Sequence, residues 1–585
     1  GYAFFSPNMI GNLEGDSTGN QIDATYKILP PNDTVSQHQK FYIGDVFVFL
    51  NASADNAINE VSDSLVKGIH FYALNNDFKI KASALANIIY LKKGDLFQQD
   101  NYDKTSQQFV NYEIMRFFSI KPFVNPNSPD SIHFNIFLTT KKPIELNMQV
   151  DLSFSNLSYS VGNLIGTALN TSIKHKNFRK NAEIFIARLE GGIEFNPFYK
   201  EIPFINTLNI NGLSEWNIPR FVDPFKLWQR FNTIPIIKGE LYRSKNRFYT
   251  TLREKATTKF GIGYNYFTSI NFYTYHSFNV NFGYKLPYSK NLNYEINQIG
   301  VNYLRPTFSD NFSEILENNI FLQRSFGKQL FTGFLFKDFS ITYTKTPNLF
   351  GESWWVRGEL EQSGLEVLGV NAITNIFRDS SKIFTIDNTE FAHFWKVRME
   401  GRYTRKLLNN TIVAFRLATG LATPYGKFTR VVPYPRQFYL GGPNSIRAWR
   451  IRELGAGSYQ NPESTNIGFP FYQAGDIMFE FNCEYRFDIF WRLKSALFIE
   501  GGNIWTLKTE TARPGSKISK NFYKEIAIGT GIGWRFDFTF FVLRLDMGYK
   551  VRNPFKVNGS YWAYNSFDDL KFKDFNYNLA VGFPF

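Results

Sequence analysis

The sequence is poor in the features that staple small domains or anchor a chain by one helix. It has one cysteine, Cys483, in 585 residues, so no internal disulfide forms, and its six scattered histidines complete no Cys-based zinc cluster. His38, His70, His133, His175, His276 and His393 never fall four apart or beside a second ligand pair, so neither a metal site nor a triad is supported. No stretch approaches the run of about 18 apolar residues that a membrane helix needs. The net charge is +14, but Lys and Arg are scattered along the chain rather than gathered into a basic arm. That excludes nucleic acid as a partner and suits anionic lipid head groups better. "GDSTG" (15–19) fits a nucleophile pattern without its strand-to-helix setting, so no enzyme and no cofactor are expected. The start, "GYAFFSPNM", has neither a basic nor an apolar signal region, and the numbering is expected to begin inside a longer protein.

What is abundant is aromatic. Phe, Trp and Tyr make up 18% of the chain, with 63 Phe, while charged residues are 20%. Mean hydropathy is nonetheless slightly negative. A membrane barrel reads this way, because lumen-facing polar residues alternate with lipid-facing apolar ones. In "IELNMQVDLSF", Ile144, Leu146, Met148, Val150, Leu152 and Phe154 alternate with polar residues without exception. "FNYNLAVGFPF" repeats the pattern at the end, with Phe575, Tyr577, Leu579, Val581, Phe583 and Phe585 on one face. Runs of this kind predict strands near 145–154, 165–174, 182–194, 206–216, 258–267, 273–285, 295–304, 329–345, 352–362, 396–406, 411–420, 476–488, 493–503, 525–537, 540–550 and 575–585. About sixteen strands, an even number, suit an antiparallel transmembrane β-barrel over 143–585. A soluble sandwich also alternates, but it does not keep so many aromatics on its outer faces.

Before residue 143 the pattern mixes helix and strand. "FYIGDVFVFL" (41–50) and "SIHFNIFLTT" (131–140) read as strands, and "NYDKTSQQFVNYEIMRFFSI" (101–120) spaces Phe109, Ile114 and Phe117 as a helix, with Asp100 or Asn101 as N-cap. Residues 37–142 therefore form an α+β module. Residues 1–36, ending in the strand-like "NQIDATYKIL", are expected to be the C-terminal part of a similar module.

Strand phase selects the side chains that meet inside the barrel. Ile477, Phe479, Phe481, Cys483, Tyr485 and Phe487 form one apolar face, so Glu480, Glu484 and Arg486 point inward; Phe498 and Glu500, Arg535, and Arg544 with Asp546 follow by the same rule. Cys483 thus reads as a small hydrophobe on a lipid face. Residues 421–475 form a connection too long to be ordinary.

An α+β module leading into a sixteen-stranded barrel with a terminal Phe resembles the BamA/TamA superfamily of outer-membrane assembly proteins, whose periplasmic modules are POTRA domains. "LKKGDLFQQDNYDKTSQQFVNYEIMRFFSI" (91–120) resembles a POTRA core, with a Thr-led helix. "GGPNSIRAW" (441–449) resembles the family's loop-six motif, "FIEGGNIW" (498–505) its thirteenth strand, and "GTGIGWRFDFTFFVLRLDMGY" (529–549) its penultimate pair. "IPRFVDPF" (218–225) and "SIRAWRIRELGAGSY" (445–459) lean toward the TamA-like branch of Bacteroidetes called TamL. Ala448 stands where Gly is usual and Glu500 where Asp is usual.

The resemblance implies a loop six (421–475) inserted in the lumen, with Gly441, Gly442, Ile446, Arg447, Ala448 and Trp449 as its motif. Arg447 is expected to reach a carboxylate, Glu500 first and Glu480 or Glu484 second, beside Phe498. The alternative is a basic loop exposed to lipopolysaccharide phosphates, with Arg450 and Arg452 unassigned. The resemblance also implies a lateral seam between the first and last strands, involving Leu146, Met148, Val150, Leu579, Val581, Gly582 and Phe585, where an unpaired edge templates substrate strands. Gly582 and Pro584 weaken the last strand near its end. The implied role is non-enzymatic assembly or translocation at a Gram-negative outer membrane, with POTRA modules in the periplasm. Its partners are outer-membrane lipids, lipopolysaccharide and unfolded outer-membrane protein clients. Alternatives are a TamA-like partner of a TamB-like periplasmic lipid-bridging protein, a passive secretion pore and, most remotely, a phospholipase.

Overall fold

A computed structural model of the chain describes residues 10–15, 22–26, 40–51, 61–74, 78–156, 163–196, 204–233, 240–270, 272–317, 320–348, 351–375, 385–386, 389–407, 411–426, 429–460, 473–538, 542–557, 559–563, 574–581 and 584. It divides into two compact units, Gly1–Glu145 with His175–Ile184, and Leu146–Lys174 with Phe185–Phe585.

The first unit holds a small hairpin, Ile10–Gly15 with Ile22–Tyr26, and a five-stranded mixed sheet. The sheet order is Val61–Val66, Ile69–Leu74, Tyr42–Leu50, Ser128–Thr140, Met115–Asn125. Val46, Val48 and Leu50 alternate onto one face and bury against Phe109, Phe134 and Ile136. The helix expected over 101–120 is shorter and earlier, Gln99–Asn111. Met115–Asn125 pairs instead with Ser128–Thr140 around a tight turn, and Phe117 stands 61% exposed on this edge strand. Edge pairing outweighs an apolar spacing that also fitted a helix. Asp100 and Asn101 lie inside the first turn, with Gln98 at the N-cap, and Thr105 is mid-helix rather than leading it.

The second unit is a closed barrel. Among the described residues sixteen strand positions follow one another around it, once the three shortest segments are set aside as accessories and Gln329–Gly333 and Asp338–Lys345 are taken as one position against Leu292–Phe308. The single strand expected over 329–345 is broken there because Phe334 and Leu335 turn their amides to the Glu366 carboxylate at 3.1 and 3.0 Å. The first strand is Ile144–Asn156. The eleventh to sixteenth are Ile412–Pro424, Ile477–Phe490, Leu493–Trp505, Ala527–Asp537, Val542–Val557 and Phe575–Val581. The first and sixteenth are neighbours, so the ring closes.

The first strand starts at what we call the near rim, and every even-numbered strand ends there. The region is not strands alone. Helices Leu227–Thr233 and Glu240–Lys255 interrupt it at the near rim; Asp310–Glu317, Ile320–Ser325 and Leu365–Asn375 do so at the far rim. The long connection begins after Pro424, so residues 421–424, expected in the loop, stay in the eleventh strand.

Candidate functional site

That connection folds back inside the barrel. Leu417 and Leu421 are exposed on the outer face, while Ala418 and Ala422, on the inner face, bury against Phe438, Leu440, Ile446, Ala448, Trp449 and Leu454 of the loop. The loop closes on itself through a bridge between Leu440 and Leu454, with Arg452 N donating to Leu440 O at 3.0 Å and Gly442 N to Trp449 O at 2.9 Å. Gly441 has φ +102°, and a Cβ there would run into the carbonyl of Arg450, so the turn requires glycine. This narrow loop carries Arg447 at its tip.

Arg447 has no exposed surface. Its Nε donates to Glu500 Oε2 at 3.0 Å and its Nη1 to Glu484 Oε1 at 2.6 Å, with Asp546 Oδ1 3.6 Å away. The guanidinium carbon lies 3.5 Å from the centre of the Phe498 ring. The backbone amides of Arg447 and Ala448 both donate to Glu500 Oε1. Glu500 thus holds side chain and main chain together, which fixes the loop's direction as well as its position. An exposed basic tip, the alternative for Arg447, does not describe this side chain.

The carboxylates are themselves shared. Glu484 also accepts from Arg535 at 3.0 Å and Arg486 at 2.6 Å, and Asp546 forms an ion pair with Arg544 at 3.0 Å. Arg544 Nη2 reaches back to Pro443 O at 2.8 Å and Asn444 Oδ1 at 3.0 Å. Buried charges of both signs in mutual contact offset one another's desolvation, so removing one strands the others. Glu480, expected among the carboxylates receiving the loop, pairs instead with Arg416 at 2.7 Å. Glu480 and Glu484 share a face, but four residues separate them, about 13 Å of strand, and only Glu484 lies level with the tip.

The wall opposite the tip has been cut away to admit it. A Cβ on Gly548 would stand 2.7 Å from Ala448 N and 2.8 Å from its Cα; one on Gly529 would stand 2.6 Å from Ala448 Cβ and 3.2 Å from Trp449. Of the two cations left unassigned, Arg452 packs over Tyr434 and Tyr439, ring centres 4.7 and 4.1 Å away, and donates to Tyr434 OH at 2.6 Å. Arg450 donates its amide to Glu453, which pairs with Lys550 at 2.6 Å.

Two residues not singled out from the sequence complete the site. Asn576 and Asn578 of the last strand donate to the carbonyl of Arg447 at 2.8 and 2.9 Å. The alternation in "FNYNLAV" already placed both on the inner face; what was missing was the loop that meets them. The residue that anchors the plug is therefore also bonded to the strand that closes the ring.

At the seam, Leu146, Met148 and Val150 are 60, 66 and 67% exposed on the outer face, and Leu579 is 41% exposed. Seven residues of the last strand are described, against thirteen of the first. Val581 ends it; Gly582 and Phe585 lie outside the described residues, as do residues 16–19 of "GDSTG". Among the described residues no group of three His, Cys, Asp or Glu could hold a metal.

Residues 381–573, covering the loop and the eleventh to fifteenth strands, match the family model of the Omp85 superfamily domain. No curated protein matches the chain. Among solved structures it is similar to BamA from Haemophilus ducreyi lacking POTRA domains 1–3, at 11% identity and a TM-score of 0.54, over 97% of this chain and 88% of that one. CdiB from Acinetobacter baumannii shares 10% identity at a TM-score of 0.46, over 94% of this chain and 92% of that one. CdiB from Escherichia coli shares 10% at 0.45, over 95% and 92%.

Proposed function

The chain carries an Omp85 superfamily domain in a barrel of the BamA fold, and from that premise we propose that it is an outer-membrane assembly or translocation factor whose first and last strands part laterally to admit client strands. The near rim faces the periplasm in this reading, where the α+β module, POTRA-like in its make-up, receives unfolded clients. No chemical step is assigned to any residue.

The observation that carries the reading is the pair of bonds from Asn576 and Asn578 to the Arg447 carbonyl. They tie the closing strand to a plug that is held by charge, so plug and seam move as one unit. Parting the strands exposes the main-chain edge of Ile144–Asn156, which offers donors and acceptors to an incoming strand.

The test is a crosslink. Cysteine pairs at Leu146 or Met148 with Tyr577 or Leu579, in a Cys483→Ser background, lock the seam when oxidised. Growth and the outer-membrane levels of other barrel proteins are expected to fall in the oxidised state and recover on reduction. Normal assembly with the bond fully formed refutes the seam. A passive pore predicts conductance with the loop seated, whereas the buried tip predicts conductance only after the plug is released.

A further inference from the structure

The connection between the fourth strand, Ile205–Ile218, and the fifth, Thr257–Ser269, is out of scale with its rim. Its described neighbours there are tight turns, such as 290–291 and 491–492. The described residues between them, 219–233 and 240–256, instead include two α-helices, Leu227–Thr233 and Glu240–Lys255. A connection this long in a compact barrel calls for a function.

Its apolar side packs on the outside of the wall. Leu252 and Ala256 are buried with Tyr284, Leu286 and Ile296, and Phe221, Trp228, Phe248, Tyr288 and Tyr294 pack around them. On the sixth strand, Tyr284 and Leu286 share a face with Phe278 and Val280, which are 52% and 39% exposed to the membrane side. Trp228 Nε1 donates to Gln298 Oε1 at 3.0 Å and Tyr284 OH to Val222 O at 2.9 Å, pinning the segment there. The helices therefore lie against the lipid-facing wall at the level where its exposed apolar stretch ends.

The other side is cationic. Arg220, Lys226, Arg230, Arg247 and Arg253 are exposed, with Phe231 55% exposed among them. Over 219–256 nine Lys or Arg face three Asp or Glu. One of those acids, Asp223, accepts the amides of Trp228 and Gln229 at 3.2 and 3.0 Å and so caps its own helix. Aromatics at the edge of an apolar wall, with unneutralised cations beyond them, match the layering of a bilayer interface.

We propose that residues 219–233 and 240–256 form an interfacial belt that binds anionic phospholipid head groups of the bilayer leaflet at the near rim, with Lys226, Arg230, Arg247 and Arg253 as the binding cations. Lipid is the occupant because the patch continues a surface already facing lipid, and because its charge complements phosphate. The identity of that leaflet as periplasmic rests on the function proposed above; the binding does not.

The full chain is reconstituted in vesicles of phosphatidylcholine and phosphatidylglycerol, and the lipid it retains is counted by native mass spectrometry. Wild type is expected to favour phosphatidylglycerol about tenfold more than K226Q/R230Q/R247Q/R253Q. R230K/R247K/R253K is expected to keep the preference, since head groups in a fluid layer read charge rather than a fixed fork. Raised salt is expected to weaken it in wild type, which supplies the comparison if the fourfold variant does not insert.

A wild type without preference, or a variant that retains it, overturns the proposal. So does a preference that salt leaves unchanged, or one lost in the Lys-for-Arg variant, which indicates a shaped pocket. An acidic protein bound through these cations while lipid retention stays equal overturns it too. The assay contains no client, so a failed seam leaves this result standing. A lipid-indifferent chain that still assembles clients overturns only the belt.

Discussion

The two sides of the lumen solve the same problem differently. On the side of strands twelve to fifteen, Glu484, Glu500, Arg535, Arg544 and Asp546 are fully buried beneath the loop tip. On the side of the first strand, the inward Asn147 and Gln149 are exposed to water. Between strands six and ten a polar cavity of about 450 Å³ remains, lined by Asn281, Lys337, Glu361, Lys396 and others. Glycine makes the difference. Gly529 and Gly548 open the wall so that a loop enters and expels water, after which every charge must find a partner within the protein. On the cavity wall, exposed charges such as Arg357 and Glu359 are screened by water.

The sharpest contrast is between two arginines. Arg447→Ala leaves Glu484 and Glu500 without their shared partner in a dry site, an expected loss of about 3–5 kcal/mol. Arg357, 37% exposed and 2.7 Å from Glu359 on the cavity wall, is expected to cost at most about 1 kcal/mol as Arg357→Ala. Denaturant unfolding of the refolded barrels measures both, and proteolysis of the loop reports whether the plug has left. Equal effects break the division into dry and wet sides.

Glycines give the next largest contrast. Gly548→Ala presses a methyl on the backbone of Ala448, which cannot swing aside, and is expected to cost about 1–3 kcal/mol and to loosen the loop. Gly192, on the inner face of the third strand, meets only Ala168 Cβ at 3.4 Å and Thr167 O at 3.8 Å. Gly192→Ala is expected to stay within about 0.5 kcal/mol of wild type in the same assay.

How much of this was legible in the sequence follows from what period 2 encodes. Strict alternation from Ile144 to Phe154 fixes which face meets lipid, and parity alone turned Glu484, Glu500, Arg535, Arg544 and Asp546 inward. Parity carries no depth. It left Glu480 and Glu484 equivalent, although register sets Glu484 opposite Phe498 and Glu480 opposite Gly502. It is also blind to helices that pack on a barrel, so Glu240–Lys255 went unread although Phe248 and Leu252 stand four apart in it. The helix expected to residue 120 fails for a related reason: Ile114 and Phe117 are spaced as on a helix, but Ile114 lies in a turn and Phe117 on a strand paired with Ser128–Thr140, and only that pairing decides.

A smaller change probes the link from plug to seam. Replacing Asn576 and Asn578 by Ala removes two hydrogen bonds to the Arg447 carbonyl, at about 1 kcal/mol each. The tip keeps its carboxylates, so proteolysis of the loop is expected to be unchanged. Amide exchange in Phe575–Val581 is expected to quicken by roughly tenfold, while the twelfth and thirteenth strands stay protected. Equal acceleration in all three means that the barrel loosens as a whole and that the asparagines carry no specific coupling.

The smallest effect lies outside the spanning strands, where the far rim of the dry side carries Asp476. Burial raises its carboxyl to about 6 from 3.8, against the Leu507 amide bond that favours the charged form. A raised carboxylate value means that the folded chain holds a proton the unfolded chain has already released. Stability therefore falls as pH rises from 3.8 to about 6, and is flat in this respect on either side. Asp476→Asn cannot ionise, so the variant is expected to lose that part of the slope while keeping the acceptor for Leu507. Thermal unfolding of both proteins between pH 4 and 7 compares the slopes, and identical ones mean that water reaches this carboxyl and that the dry region stops short of the far rim.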